Sequence, residues 1–297
     1  MKVILVGKGE MLANLIQGCM LADVEIVGVF RYERLLYSPL RLFLHDFFST
    51  SPDLTLIRKF KLHDINCNSV NSEKFRNEIL KTNTDIVLVG TWREKFKKET
   101  IEVPVIGTIN VHPALLPKYR GPNPYLQTIW HREKESGVTF HLMDEKFDSG
   151  AVLAQAKVEI LDGDTSKELK NKTVFKARLL CTELLEKLKT GAVVPVSQEE
   201  SAASYYPNIK PEDMTLDFEK ETAEDILAHV RAFYPFVPTY IQYNSKTFYI
   251  TNPYKISLIN CTGLAGQIVE NDLKHKILVI ACKDGKCVKF EGLKKYR

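Results

Sequence analysis

The chain lacks any apolar run approaching the ~20 residues that a helix needs to cross a bilayer, so no membrane-spanning helix and no membrane partner is expected. With 15 Gly and 13 Pro in 297 residues, it is too poor in both for a collagen-like or low-complexity chain. Its six cysteines (Cys19, Cys67, Cys181, Cys261, Cys282, Cys287) are scattered and include no C-x-x-C pair. Neither a disulfide scaffold nor a zinc site is expected from them, and reduced thiols are. An excess of one charge is also missing: 41 basic side chains face 37 acidic ones, a net +4 that permits an anionic partner without demanding one. Met1-Lys2 leads straight into the apolar run 3–6 and a glycine, without the order of a secretion signal, so a cytoplasmic chain is expected. What is present is globular: 44% hydrophobic and 26% charged residues suffice for one large domain or two ordinary ones.

Residues 2–6 form a short β-branched run stopped by Gly7, which reads as a buried parallel strand. A helix over 11–21 follows, then apolar runs at 24–30, 85–89 and 105–111, with a polar helical stretch at 72–81. This alternation predicts an α/β fold, a parallel sheet covered by helices. Segment 136–160 reads as strand, loop, strand (137–143 and 152–160), and 166–188 as a helix capped by Asp164-Thr165-Ser166. Between 191 and 212, Gly191, Pro195, Pro207 and Pro211 punctuate a polar stretch that reads as a linker. Beyond it, Thr222 caps a helix that ends before Pro235, and six short β-like runs lie between 239 and 290. Those runs predict a small C-terminal β-barrel, with Lys283-Asp284-Gly285-Lys286 as a type I′ hairpin turn. The expected division is residues 1–205 and 206–297.

The turn Gly7-Lys8-Gly9-Glu10-Met11-Leu12 half-matches a dinucleotide fingerprint, with Leu12 where the third glycine belongs. Arg31 ends the second strand where an acid would hold a ribose, so only a cofactor with a 2′-phosphate suits it. The alternative is a plain strand-to-helix turn. Segment 107–150 is richer. Asn110 and His112 stand two apart at a strand end, so both side chains leave one face, toward the crevice where open α/β sheets hold ligands. An amide and an imidazole aimed together suit a developing oxyanion and a proton transfer. The loop Leu115-Leu116-Pro117-Lys118-Tyr119-Arg120-Gly121 follows, and Asp148, on the turn Phe147-Asp148-Ser149-Gly150, supplies the acid that His112 lacks nearby.

Asn-x-His, Leu-Leu-Pro-x-x-Arg-Gly, Gly-Val-Thr and Asp-Ser-Gly together resemble the folate-dependent formyltransferases. That family includes enzymes acting on methionyl-tRNA, glycinamide ribonucleotide and nucleotide sugars. Segment 231–236, Arg-Ala-Phe-Tyr-Pro-Phe, is similar to the run that opens the C-terminal domain of the tRNA and sugar enzymes. The purine-pathway enzyme lacks that domain. The resemblance implies a Rossmann-like catalytic domain (1–205) and a small OB-like C-terminal β-barrel domain (206–297). It implies Asn110, His112 and Asp148 as the catalytic trio. Leu115, Leu116, Pro117, Met143 and Asp144 would flank the pterin of the co-substrate, 10-formyltetrahydrofolate. No metal is implied.

For the acceptor amine, the resemblance implies initiator methionyl-tRNA, with a nucleotide-linked amino sugar as the alternative. Eight Lys/Arg between Lys274 and Arg297, against Asp284 and Glu291, suit tRNA phosphates. Segment 31–48 departs from the tRNA enzymes' glycine- and lysine-rich insertion: it has Arg31, Arg34 and Arg41 but no glycine and many large apolar residues. It is expected to fold as a helical lid. That departure and the small Ala151-Val152 after Asp-Ser-Gly favour the sugar. The sequence specifies no oligomeric state.

Overall fold

The computed structural model describes residues 1–296; Arg297, counted in the basic C-terminal segment, lies outside the described residues. Two compact units emerge. One comprises residues 1–120, 137–158 and 172–205, and the other 121–136, 159–171 and 206–297.

In the first unit the chain runs β1 (Lys2–Gly7), α1 (Gly9–Leu21), β2 (Glu25–Arg31), α2 (Glu33–Leu36), α3 (Pro39–Phe48), α4 (Pro52–Lys59), α5 (Glu73–Thr82), β3 (Ile86–Gly90), α6 (Lys98–Ile101) and β4 (Gly107–His112). After α7 (Pro124–Trp130) come β5 (Glu135–Leu142), β6 (Val152–Glu159) and α8 (Ser166–Lys189), whose residues divide between the units. The sheet order is β2-β1-β3-β4-β5-β6. β1 pairs in parallel with β2 and β3, and β3 with β4, whereas β5 runs antiparallel to β4. β1 and β3 have no polar face, as expected of strands covered on both sides. One side of β1 packs on Leu12, Leu15, Ile16 and Cys19 of α1, which recur at helical spacing. The other packs with Phe30, Phe75 and Ile79. Helix α5 starts where Ser72 Oγ accepts the Phe75 N–H at 3.2 Å and stops at Asn83, which is left-handed (φ 49°).

In the second unit α9 (Ala223–Phe233) begins with a capping box between Thr222 and Asp225. The strands β7 (Tyr240–Tyr243), β8 (Lys246–Tyr249), β9 (Ile256–Ile259), β10 (Ile268–Asp272), β11 (Ile277–Ala281), β12 (Cys287–Glu291) and β13 (Lys294–Lys295) follow. They form two antiparallel sheets, β10-β11-β12-β9 and β13-β8-β7, around one core of Ile226, Val230, Ile241, Phe248, Leu278, Val288 and Phe290. Strand β10 starts two residues later than the sequence pattern because Gly266 is left-handed (φ 78°) and belongs to the turn.

Three expectations are corrected. The hairpin between β11 and β12 is not type I′, since only Gly285 (φ 75°) is left-handed. Its N–H closes the turn onto the Cys282 carbonyl at 3.0 Å, and Asp284 instead accepts the Ala223 N–H of α9 at 3.1 Å. Not all thiols are reduced: Cys261 and Cys287 are disulfide-bonded, because β9 and β12 are neighbours. Arg31 is no phosphate ligand. It is 1% exposed, gripping Asp46 with two nitrogens (2.9 and 2.7 Å) and Asp64 with two (3.0 and 2.7 Å). The Gly9 N–H that a phosphate would need is taken by Asp53 at 2.7 Å. The strand-to-helix turn is therefore plain, and most of segment 31–48 is helical as α2 and α3, with Asp46 of α3 tied to Arg31.

Burial works against the charge on Asp46, yet its hydrogen bonds from Arg31 and His45 outweigh burial and hold its carboxyl below the usual range. Arg31→Met leaves Asp46 without a guanidinium partner, while Asp64 keeps Arg34 at 2.7 Å, and should lower unfolding free energy at pH 7 by about 3 kcal/mol. Asp46 is depressed in the fold, so this stabilisation is complete above the ordinary carboxylate pKa and fades as pH falls through the lowered value. Urea titrations at pH 7 and pH 3 should therefore show the variant's deficit shrinking in acid.

Candidate active site

The antiparallel register of β4 and β5 sets Asn110 opposite His141 and His112 opposite Thr139. Because side chains alternate along each strand, these four polar residues share one face. The turn after β5 brings Asp148 back to them, left-handed at φ 57°, a conformation that Asp tolerates. Gly150 follows because a Cβ there would collide with the Leu142 carbonyl. Asp144 braces the turn: its carboxylate accepts from Ser149 Oγ (2.8 and 3.0 Å) and the Lys146 N–H (2.9 Å).

The trio read from the sequence meets. Asn110 Nδ2 donates to Asp148 Oδ1 at 3.3 Å, and His112 Nδ1 lies 3.4 Å from the same oxygen. His112 is 4% exposed, and its Nε2–H donates to the Tyr119 carbonyl at 2.8 Å. A carbonyl only accepts, so Nε2 carries a proton, and Nδ1 is the nitrogen left to face Asp148 and the crevice.

His141 completes the group and was not singled out by its sequence context. Its Nδ1–H donates to the Leu142 carbonyl at 2.8 Å, leaving a lone pair on Nε2 that accepts from Asn110 Nδ2 at 3.1 Å. Burial pushes the His141 pKa down to about 4, against the pull of Asp148, so the ring is neutral. Both protons of the Asn110 amide are thereby directed inward. The reversed amide would set its oxygen against a carboxylate and a lone pair. The Asn110 oxygen consequently faces neither of these two partners.

The Leu-Leu-Pro loop is held from beneath. Thr139 Oγ1 donates to the Ala114 carbonyl (2.6 Å) and accepts from the Leu116 N–H (3.2 Å) and Gln155 Nε2 (2.8 Å). Gln155 Nε2 also donates to the Leu116 carbonyl (2.9 Å). The Leu116–Pro117 bond is cis. Leu116 is only 5% exposed, so its side chain is core rather than ligand surface. Leu115, Pro117 and Met143 are half-buried, and Asp144 is exposed. Leu115 lies where Gly137 would otherwise carry a Cβ. Thr139, Gln155 and His141 are legible only once the β4–β5 register is known.

A depressed histidine leaves a measurable trace. The His141 ring should titrate near pH 4 in the folded protein, read from its imidazole proton shifts. The unfolded chain takes up that proton near 6.5, so the stability it confers is whole above 6.5 and declines as pH falls toward 4. His141→Gln should flatten that decline.

Comparison with known proteins bears on the family of the chain. Residues 1–185 match the formyl transferase family model, and 208–296 match that of the formyl transferase C-terminal domain. The methionyl-tRNA formyltransferase of Methylacidiphilum infernorum is 32% identical over 236 residues, 76% of this chain and 72% of that protein. That of Geobacillus thermodenitrificans is 35% identical over 173 residues, 58% of this chain and 54% of the relative's length. Among solved structures, an N-formyltransferase from Helicobacter canadensis, in complex with folinic acid and dTDP-3-aminofucose, aligns over 100% of both chains. Its TM-score is 0.70 and its identity 18%. A 4-N formyltransferase from Francisella tularensis aligns over 84% of this chain and 96% of its own, with TM-score 0.64 and 18% identity. At such identities the structures share the fold alone. Matched by the two family models over most of its length, the chain belongs to the formyl transferase family.

Proposed function

We propose that the chain transfers a formyl group from 10-formyltetrahydrofolate to a primary amine, and that the amine is that of initiator methionyl-tRNA. The convergence of Asn110, His112 and Asp148 on one oxygen carries this reading. In the same reading residues 1–205 form the catalytic domain and 206–297 a barrel-like domain that serves the acceptor, in the cytoplasm.

The first unit suits a folate. Half-buried apolar side chains at Leu115, Pro117 and Met143 stand after the end of β4 and of β5, on the two elements that carry Asn110 and Asp148, and would take the flat pterin. Leu116 contributes its fixed backbone, and the loop at Asp144 would close the other side. Bound there, 10-formyltetrahydrofolate supplies a formyl carbon, on N10, that an amine nitrogen can attack. The Asn110 oxygen accepts an N–H of the incoming amine and orients its lone pair. His112 holds a proton on Nδ1 toward the formyl oxygen as negative charge grows there. Asp148 stabilises that imidazolium and receives the amine proton, directly or through one water, and that proton passes to N10 as the C–N10 bond breaks and tetrahydrofolate leaves. The 3.4 Å separation of His112 and Asp148 tightens when substrate fills the crevice.

The relatives of 30–35% identity favour tRNA as acceptor. One feature favours the amino sugar: a cavity of about 660 Å³ beside α2 and α3, lined by Arg34, Tyr37, Phe43, Asn66 and Lys74 among others. Aromatic rings and cations together suit a nucleotide base and its phosphates.

The purified protein should release tetrahydrofolate when offered 10-formyltetrahydrofolate and initiator methionyl-tRNA. Release instead with nucleotide-linked 3-amino or 4-amino sugars would reassign the acceptor. His112→Ala should lower turnover about 10²–10⁴-fold, and a near-wild-type rate would remove the residue from the mechanism.

A tRNA acceptor also sets a salt response. Lys289 is paired with Glu291 at 2.6 Å, whereas Lys294 and Lys295 are exposed on β13. Replacing those two by Gln should reduce the salt slope of tRNA binding by about two, at ~0.9 per phosphate contact, and spare the chemical step. An unchanged slope counts against those contacts.

A further inference from the structure

We propose that residues 196–205, which read as linker in the sequence, are a strap that sets the geometry of the active site, and that Gln198 is its positioning residue. The inference rests on the catalytic roles given above to His112 and Asp148.

The strap makes bonds along its whole length within the first unit. Val196 and Val152 exchange both backbone hydrogen bonds at 2.8 Å, extending the sheet beside β6. Gln198 Nε2 donates to the carbonyls of Asp148 (2.9 Å) and Gly150 (2.7 Å), on either side of the left-handed turn. Gln198 Oε1 accepts two N–H groups of Arg120, at 3.3 and 2.9 Å. Arg120, 8% exposed, then closes a fork onto the two Glu200 oxygens at 3.0 and 2.8 Å. At the far end Ser204 Oγ accepts the Tyr119 N–H (2.9 Å), its carbonyl accepts the Arg120 N–H (2.9 Å), and its own N–H reaches the Pro117 carbonyl (3.3 Å).

The Gln198 amide is saturated: two N–H groups on two carbonyls and one oxygen on two guanidinium donors. It cannot be reversed without setting oxygen against oxygen and N–H against N–H. Its effect falls on His112 from both sides. The Asp148 turn holds the carboxylate that faces Nδ1, and the Tyr119–Arg120 backbone holds the carbonyl that fixes Nε2–H. One side chain therefore ties together the two loops whose spacing determines where the His112 ring sits. Displacing a reacting group by about 1 Å costs up to ~10²-fold in rate, so a clamp of this kind acts on turnover without touching substrate.

The test compares steady-state kinetics of formyl transfer in Gln198→Met, Gln198→Glu and Ser204→Ala, with thermal midpoints measured alongside. Gln198→Met loses every bond of the amide. Gln198→Glu keeps the acceptor for Arg120 but sets a carboxylate against the two carbonyls. Both should lower kcat about 10- to 100-fold with KM for the folate within about threefold. A residue that served only stability through Arg120 would leave Gln198→Glu at the wild-type kcat, and that result overturns the proposal. Ser204→Ala, at the Tyr119 end, should lower kcat about 3- to 10-fold and carries the test if the Gln198 variants do not fold. A wild-type kcat in Ser204→Ala then overturns the proposal. His112→Ala, run in parallel, separates the two readings. If it is inactive while folded strap variants turn over at the wild-type rate, the strap alone falls. If it is fully active, the catalytic assignment falls.

Discussion

The Tyr119 carbonyl that accepts the Nε2–H of His112 is the contact on which the site turns. It fixes the tautomer, because a carbonyl has no proton to offer, and so decides which nitrogen meets Asp148 and the crevice. From there the assignments propagate. Asp148 Oδ1 lies 3.4 Å from Nδ1. Asn110 must turn its amide protons to Asp148 and to the lone pair of His141. His141 keeps that lone pair only by staying neutral, which its burial enforces.

The parts that were legible in the sequence are those whose logic is local. Asn110 and His112 share a face because strands alternate, and Thr222 announces α9 through a box of four residues. Strands β1 and β3 were visible as unbroken apolar runs. The parts that were not legible depend on chain segments distant in sequence. His141 gains its role from the β4–β5 register, and Arg31 is buried by Asp46 and Asp64, 15 and 33 positions on. Leu116, two residues from an exposed lysine, is core because Thr139 and Gln155 hold its backbone. The segment 196–205 has linker composition, and its bonds to the rest of the first unit span 44 to 87 positions. Composition reports solvation, and here polar residues are solvated by the protein's own backbone.

The first strand-to-helix turn shows the same principle with the opposite outcome. Its glycines look open to an anion, but the protein supplies the anion itself as Asp53. Arg31, at the end of the neighbouring strand, is likewise neutralised from within. The positive groups a cofactor phosphate would need are consumed in fastening α3 and α4. The fold thus leaves its polar capacity at β4, where Asn110 and His112 meet Asp148.

The order of the chain gives the segment 196–205 a further significance. Asn110, His112 and Asp148 all precede α8, and the family resemblance of the N-terminal part stops at residue 185, before that segment begins. During synthesis the three side chains emerge early, yet the bonds that fix both neighbours of His112 await the arrival of Ser204. A nascent or truncated chain ending with α8 would hold Asn110, His112 and Asp148 without the frame that spaces them, so their geometry is completed only once residues 196–205 have been made.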